Sequence, residues 1–143
     1  MKTERIFADT DLFLRYLTND IPEKADAIEV ILHRAMDGEI VLASNDLVIA
    51  EIVWTLESYY RLARQDIQAK VIAILNTPGL IIANNNVLLQ AILWYSEKNV
   101  GYIDAYNVAW LLSQDMRKDY TFDRRRFNLF EQIEVTVPGE RGN

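Results

Sequence analysis

Four carboxylates stand where carboxylates seldom stand without a task. Asp9 directly follows the apolar run Ile6-Phe7-Ala8, and Asp123 directly follows Tyr120-Thr121-Phe122, so both sit at strand ends. Glu51 lies inside Leu47-Val48-Ile49-Ala50-Glu51-Ile52-Val53-Trp54, a helix that reads as apolar nearly all round and therefore buried. Its helical neighbours Leu47, Val48, Trp54 and Thr55 include no cation. Asp104 opens Tyr102-Ile103-Asp104-Ala105-Tyr106-Asn107-Val108-Ala109-Trp110, with Val100, Gly101, Asn107 and Val108 as its equally uncharged neighbours. Each has an ordinary reading as well. Asp9 suits a helix N-cap, and Asp104 suits a first turn favoured by the helix dipole. Asp123 could serve as a turn residue paired with Arg124, Arg125 or Arg126. Glu51 could face solvent or meet a distant arginine. If the four converge, repulsion raises their pKa values unless a divalent cation neutralises them. Oxygen-only ligands select Mg²⁺ or Mn²⁺. The reaction this suits is hydrolysis of a phosphodiester by a metal-activated water.

The composition closes most other routes. The 143 residues contain no cysteine and one histidine. That excludes disulfides, thiolate zinc sites, cysteine nucleophiles and histidine clusters. No Gly-x-Ser-x-Gly elbow accompanies His33, which reads as a bystander in Ile31-Leu32-His33-Arg34. Five dispersed glycines make neither a phosphate loop nor a dinucleotide fingerprint. With 15 basic and 21 acidic residues, the formal charge of −6 argues by itself against nucleic acid as a partner. Four of those charges, however, are the proposed ligands, and an arginine triplet adjoins one of them. Half the residues are hydrophobic, as expected of a globular chain. No apolar run is long enough for a membrane span. Met1 to Arg5 leads straight into a strand-like segment, so no signal peptide is expected, and the location reads as cytoplasmic.

These side chains need a scaffold that brings strand ends together. Short apolar runs at 5–8, 39–43, 80–83, 119–122 and 133–137 read as strands. Helical patterns fill 10–17, 23–36, 47–60, 66–75, 87–98 and 102–114. Pro22 favours the first turn of the second helix, and Gly38 stops it. Ser44, Asn45 and Asp46 are all N-cap types for the third. Alternating strands and helices argue for an α/β fold with a mainly parallel sheet of about five strands, covered on both faces. The continuous apolar character of Ile6-Phe7-Ala8 and Leu80-Ile81-Ile82-Ala83 suits strands buried on both sides. Ligands of such sheets bind beyond the strands' carboxyl ends. No linker or repeat divides the chain, so residues 1–137 read as a single domain and 138–143 as a flexible tail. Trp54, Trp94 and Trp110 lie in apolar helices and read as core.

The ordered segments Phe7-Ala8-Asp9-Thr10-Asp11-Leu12-Phe13-Leu14-Arg15-Tyr16-Leu17, Val48-Ile49-Ala50-Glu51-Ile52-Val53-Trp54-Thr55-Leu56, Tyr102-Ile103-Asp104-Ala105-Tyr106-Asn107-Val108-Ala109 and Tyr120-Thr121-Phe122-Asp123-Arg124-Arg125-Arg126-Phe127 resemble the PIN-domain family of metal-dependent ribonucleases. The resemblance extends especially to the toxin half of VapBC-type toxin–antitoxin pairs. It spans residues 7 to 127 and rests on the ordered set rather than on any single motif. It implies a three-layer α/β/α sandwich and an acidic Mg²⁺ or Mn²⁺ pocket formed by Asp9, Glu51, Asp104 and Asp123. It also implies a supporting role for Thr121, a small antitoxin protein over the active site, and a homodimer. Asp11 departs from the family, which usually carries Asn there. An ionised Asp can only accept hydrogen bonds, so Asp11 adds charge to the pocket or points elsewhere. Asn107, one turn after Asp104, is a further supporting candidate, with an exposed helical Asn as its plain reading.

For the RNA substrate, Arg124, Arg125 and Arg126 could hold phosphates beside the metal, with Arg15 a weaker candidate. The plain reading of the triplet is a solvated charged turn. Tyr59-Tyr60-Arg61 could stack on bases or meet a protein. Two other classes remain open. Asp9-Thr10-Asp11 after an apolar strand is similar to the Asp-x-Asp nucleophile motif of haloacid-dehalogenase-type phosphatases, but Phe13 stands where Thr or Val normally follows. A PIN-like scaffold that binds RNA or protein without cutting is the non-enzymatic alternative.

Overall fold

The computed structural model describes residues 3–127 and 129–140, excepting the side chains of Arg124 and Arg126. Residues 141–143 of the expected tail lie outside the described residues. Among the described residues the chain is mixed α/β, with six α-helices and short parallel strands. It falls into two compact units, Met1–Asn85 and Asn86–Asn143.

The first unit contains β1 (Glu4–Phe7), α1 (Thr10–Thr18), α2 (Pro22–Met36), β2 (Ile40–Ser44), α3 (Asp46–Ser58), α4 (Arg64–Leu75) and β3 (Leu80–Ile82). The strand order is β1-β2-β3, all parallel, with Phe7 opposite Ala43 and Ser44 opposite Ile82. Such pairing needs a helical crossover between strands, and α1–α2 and α3–α4 supply the two required here. β2 is the central strand and carries the buried Ile40 and Leu42. With Ala35 of α2 they form a cluster that Ile31, Leu32 and Leu80 pack against. Elsewhere in this unit α3 packs on α1 and α4.

Local chemistry accounts for the helix limits. Pro22 opens α2, where its missing N–H costs nothing. At the other end the Glu39 amide donates to the Arg34 carbonyl at 2.9 Å, and the Gly38 amide to the Ala35 carbonyl at 3.1 Å. That paired reversal needs a left-handed residue, and Gly38 takes φ +80. Of the three cap types before α3, Asn45 is the one used: its side chain accepts from the Val48 amide at 3.0 Å. Ser44 instead donates its hydroxyl to the Ala8 carbonyl at 2.8 Å, tying the end of β2 to the end of β1.

The second unit holds α5 (Asn85–Glu97, whose first residue belongs to the first unit), α6 (Tyr102–Ser113), β4 (Lys118–Tyr120), a 3₁₀ turn (Arg124–Phe127) and β5 (Glu134–Thr136). β4 and β5 pair in parallel, and the Thr121 amide extends the ladder to the Thr136 carbonyl at 3.1 Å. The core gathers Val108, Leu111, Phe127, Phe130 and Ile133. Trp94 meets Phe130 edge-on at 5.0 Å, and Lys98 lies over the same ring while donating to the Leu129 carbonyl at 3.1 Å.

Among the described residues the strands hydrogen-bond as a sheet of three and a pair of two. One expectation needs correction: β1, expected to be buried on both sides, is exposed along its length, Phe7 by 57%. It is an edge strand, so its apolar side chains lack the second neighbour that a central strand has. β3, at the opposite edge, likewise leaves Ile81 exposed and buries Ile82.

Gly79 offers a direct test of the packing of β3 on α2. It takes φ +80, and a Cβ there would collide with the Ala35 backbone carbonyl, whereas one at Gly38 would meet open space. Gly38→Ala should therefore cost about 1 kcal/mol, the left-handed penalty alone. Gly79→Ala should cost clearly more, read as a larger loss in denaturant midpoint.

Candidate functional site

The first unit supplies Asp9 and Glu51. Asp9 lies two residues beyond β1, held there because the Ala8 amide donates to the Ala43 carbonyl at 2.8 Å while the Ala8 carbonyl accepts from Ser44. Its carboxylate accepts from the Leu12 amide at 3.2 Å, so Asp9 is the N-cap of α1. The capping role uses one oxygen and leaves the exposed side chain with further acceptor sites. α3 begins at the carboxyl end of the neighbouring strand β2, so Asp9 and the start of α3 share one edge of the sheet.

Glu51 departs from expectation. It is exposed, not buried. α3 buries Val48, Ile49, Ile52, Val53 and Leu56 and turns its other face to solvent. That face carries Leu47, Glu51 and Trp54, spaced by four and three residues, with Leu47 77% and Trp54 68% exposed. The helix composition hid this because apolar residues occupy both faces. Trp54 is thus not core, and Trp110 is also 40% exposed; Trp94 alone packs as expected, against the cluster of the second unit.

Asp11 and Arg15 are engaged with each other. Arg15 Nε lies 3.3 Å from the Asp11 carboxylate one turn earlier, and Nη1 lies 3.4 Å from Asp20. Asp11 is therefore directed along α1 toward Arg15, and Arg15 is half occupied as a phosphate ligand. Asp20 also accepts from the hydroxyls of Thr18 at 3.1 Å and Tyr60 at 3.2 Å. Desolvation pulls its pKa up, but the two hydroxyls and the Arg15 charge outweigh this and lower it. This network ties the end of α1 to the turn after α3. Sequence pattern does not reveal it, because Tyr60 is 40 residues from Asp20 along the chain. Tyr60 also meets Tyr59 edge-on at 4.9 Å. His33, the bystander, is exposed near Glu29 at 3.9 Å.

The second unit supplies Asp104 and Asp123. Asp104 is half-buried in the first turn of α6, whose N-cap, Gly101, offers no side-chain cap. Asp123 is held from two sides: its amide donates to Thr121 Oγ1 at 3.1 Å, and its carboxylate accepts from the Arg125 amide at 3.1 Å. Thr121 thus fixes the backbone that carries Asp123. The carboxylate in turn caps the 3₁₀ turn that bears the arginines. Arg125 is exposed; the side chains of Arg124 and Arg126 lie outside the described residues. Asn107 is exposed one turn beyond Asp104. With Thr121, it lines a pocket of about 300 Å³ whose other walls include Trp110, Lys118, Asp119 and Tyr120. Reasoning from sequence had not drawn these last four into one place, because the pocket forms only when α6 packs beside β4.

The donor chemistry of the four carboxylates, oxygen only, suits Mg²⁺ or Mn²⁺. Among the described residues, no three His, Asp or Glu side chains form a group that could hold a metal ion. Also among the described residues, no helix is long and apolar enough to cross a membrane.

Three measurements follow from these placements. Asp9→Ala should lose about 1 kcal/mol with the cap, whereas Asp9→Asn, also a good cap, should stay within a few tenths. Glu51→Gln, at an exposed position, should change stability by no more than about 0.5 kcal/mol. Both are read by thermal or denaturant melts. The lowered pKa of Asp20 means that its contribution is present above the unfolded carboxylate value and is lost as pH falls through the lower folded value. Tyr60→Phe removes one hydroxyl donor and should move the Asp20 titration upward, as followed by carboxyl NMR. Compared with protein-family models and with curated proteins, the chain has no match in either.

Proposed function

We propose that this chain is a metal-dependent endoribonuclease of the PIN-like, VapC-like type, hydrolysing phosphodiester bonds of RNA in the cytoplasm. The observation that carries the reading is the ordered set Asp9, Glu51, Asp104 and Asp123, within segments that resemble one family from residue 7 to 127. Several features support it. Asp9 and Asp123 both follow parallel strands, where ligands of such sheets bind. Thr121 holds the Asp123 backbone by a hydrogen bond. Glu51 is exposed and free to accept a ligand. The same proposal includes the finer fold, a three-layer α/β/α sandwich around a five-stranded sheet, and the gathering of the four carboxylates. It also includes a small antitoxin partner and a homodimer.

In this reading Asp9, Glu51, Asp104 and Asp123 are the residues that would hold Mg²⁺ or Mn²⁺. The ion, when bound, would supply a hydroxide-like water and offset charge at the phosphate. The chain's own residues have separable tasks. Thr121 orients Asp123 through its amide, and the Asp123 carboxylate braces the turn that presents Arg125. Arg125 offers a planar cation to the phosphate backbone. Asp9, as a cap, accepts from the Leu12 amide at 3.2 Å.

RNA cleavage with Mn²⁺, with and without chelator, tests the reading. Wild type should cut, chelation should stop it, and Asp9→Asn should lose about 100-fold or more while remaining folded. Cutting that survives both chelation and Asp9→Asn would overturn the proposal. A trapped aspartyl-phosphate at Asp9 would favour the phosphatase alternative, and RNA affinity without cleavage would favour the scaffold.

A further inference from the structure

The outward face of the β4–β5 pair carries a pocket that none of the assigned roles uses. In the parallel register Lys118 lies beside Glu134, Asp119 beside Val135 and Tyr120 beside Thr136. Val135 packs against the cluster that contains Val108 and Leu111 of α6. Side chains alternate along a strand, so Lys118, Tyr120, Glu134 and Thr136 stand together on the face turned away from α6. The chain beyond β5 completes the lining. There the Glu140 amide donates to the Val137 carbonyl at 3.1 Å, with Pro138 and Gly139, at φ +91, as the central residues of the turn. These strand residues and the turn line a pocket of about 460 Å³. Tyr120 is 78% exposed, and Phe122, two residues further, is 80% exposed. Lys118 Nζ and Glu134 Oε2 lie 3.8 Å apart, with both side chains largely exposed. So loose a surface pair leaves each partner able to make a further hydrogen bond.

We propose that this pocket binds a guanine base. The base would rest on the Tyr120 ring, with its Watson–Crick edge toward the Lys118–Glu134 pair two residues along the strands, about 7 Å away. Unstacked bases of single-stranded RNA are held in this manner, by aromatic stacking and by hydrogen bonds to that edge. The edge decides which base is taken. Guanine sets two donors side by side, N1–H and the N2 amine, and the two oxygens of one carboxylate can accept both. Its O6 acceptor stands next to them, where the Lys118 ammonium can donate. Adenine, cytosine and uracil each offer a carboxylate a single donor group. An acid beside a cation therefore matches guanine best, through charge-assisted hydrogen bonds. A polyphosphate finds no such match, because Lys118 is the one cation among the described lining residues, and Glu134 and Glu140 share the wall. That favours a guanine carried in a strand over a free nucleotide. The exposed Phe122 and Arg125 then continue the surface on either side of Asp123. The RNA source of the guanine rests on the ribonuclease reading; the pocket and its base do not.

The test uses the full chain, with chelator present so that binding is separated from cutting. The probes are a labelled oligouridylate, the same strand with one central guanosine, and that strand with inosine, which lacks the N2 amine, in its place. Binding is followed by fluorescence anisotropy. One guanosine should tighten binding by about tenfold or more, and inosine should lose most of that gain. Glu134→Gln, which keeps only one acceptor oxygen, should abolish the preference. Tyr120→Ala should weaken binding of the guanosine strand by about tenfold, while Tyr120→Phe, which keeps the ring, should retain it. No guanosine preference in wild type, a preference that survives Glu134→Gln, or a folded Tyr120→Ala that binds as wild type would overturn the pocket. Guanosine monophosphate that competes as well as the strand would uphold the pocket and assign it to free nucleotides; failure to compete would assign it to RNA. Guanosine-dependent binding without Mn²⁺-dependent cleavage would uphold the pocket and remove the nuclease reading; cleavage without the preference would do the reverse.

Discussion

The parallel pairing of β1 with β2 is the constraint on which the first unit turns. Once Phe7 lies opposite Ala43, the chain must leave both strands at the same edge. Backbone groups near that edge are then satisfied in one continuous set. The Ala8 amide donates to Ala43, Ser44 donates to the Ala8 carbonyl, and Asp9 and Asn45 each accept the amide of a residue three further on. Two helices therefore start side by side, and the candidate carboxylate Asp9 has its direction fixed by the requirement to cap α1. Shifting the pairing by one residue would turn every side chain of β2 to the wrong face and remove Ile40 and Leu42 from the core.

The second unit applies the same logic with less sheet. Two short parallel strands could not hold themselves together, so stability comes from α6 and the aromatic cluster of Phe127, Phe130 and Trp94. The 3₁₀ turn joins the two requirements. Phe127 at its end is buried in the cluster, while Asp123 at its start binds the Arg125 amide. Any residue presented between these anchors, Arg125 included, is placed by the packing of a phenylalanine and the cap of an aspartate.

Charge is distributed to match. Asp20 gathers Arg15, Thr18 and Tyr60 into a closed network that is structural, locking α1 to the turn after α3. Glu51 sits outside any such network, between two exposed apolar side chains. Thus Asp20 spends its carboxylate on internal partners, while Glu51 presents its own on the exposed face of α3.

Much was legible from sequence alone. The α/β alternation, six helices, five strand segments, the Pro22 start and Gly38 stop of α2 all follow from local pattern, because apolar period, caps and left-handed glycine act within a few residues. The Asp9 cap was equally local. Tertiary structure decided what local pattern cannot hold. It made β1 an edge strand and so exposed Phe7; it turned the apolar back of α3 outward and exposed Glu51 and Trp54. It joined Tyr60 to Asp20 and brought Asn107 and Thr121 to one pocket. In each case the reason is the same: burial depends on which neighbours arrive from distant parts of the chain, and an apolar residue records only that it could be covered.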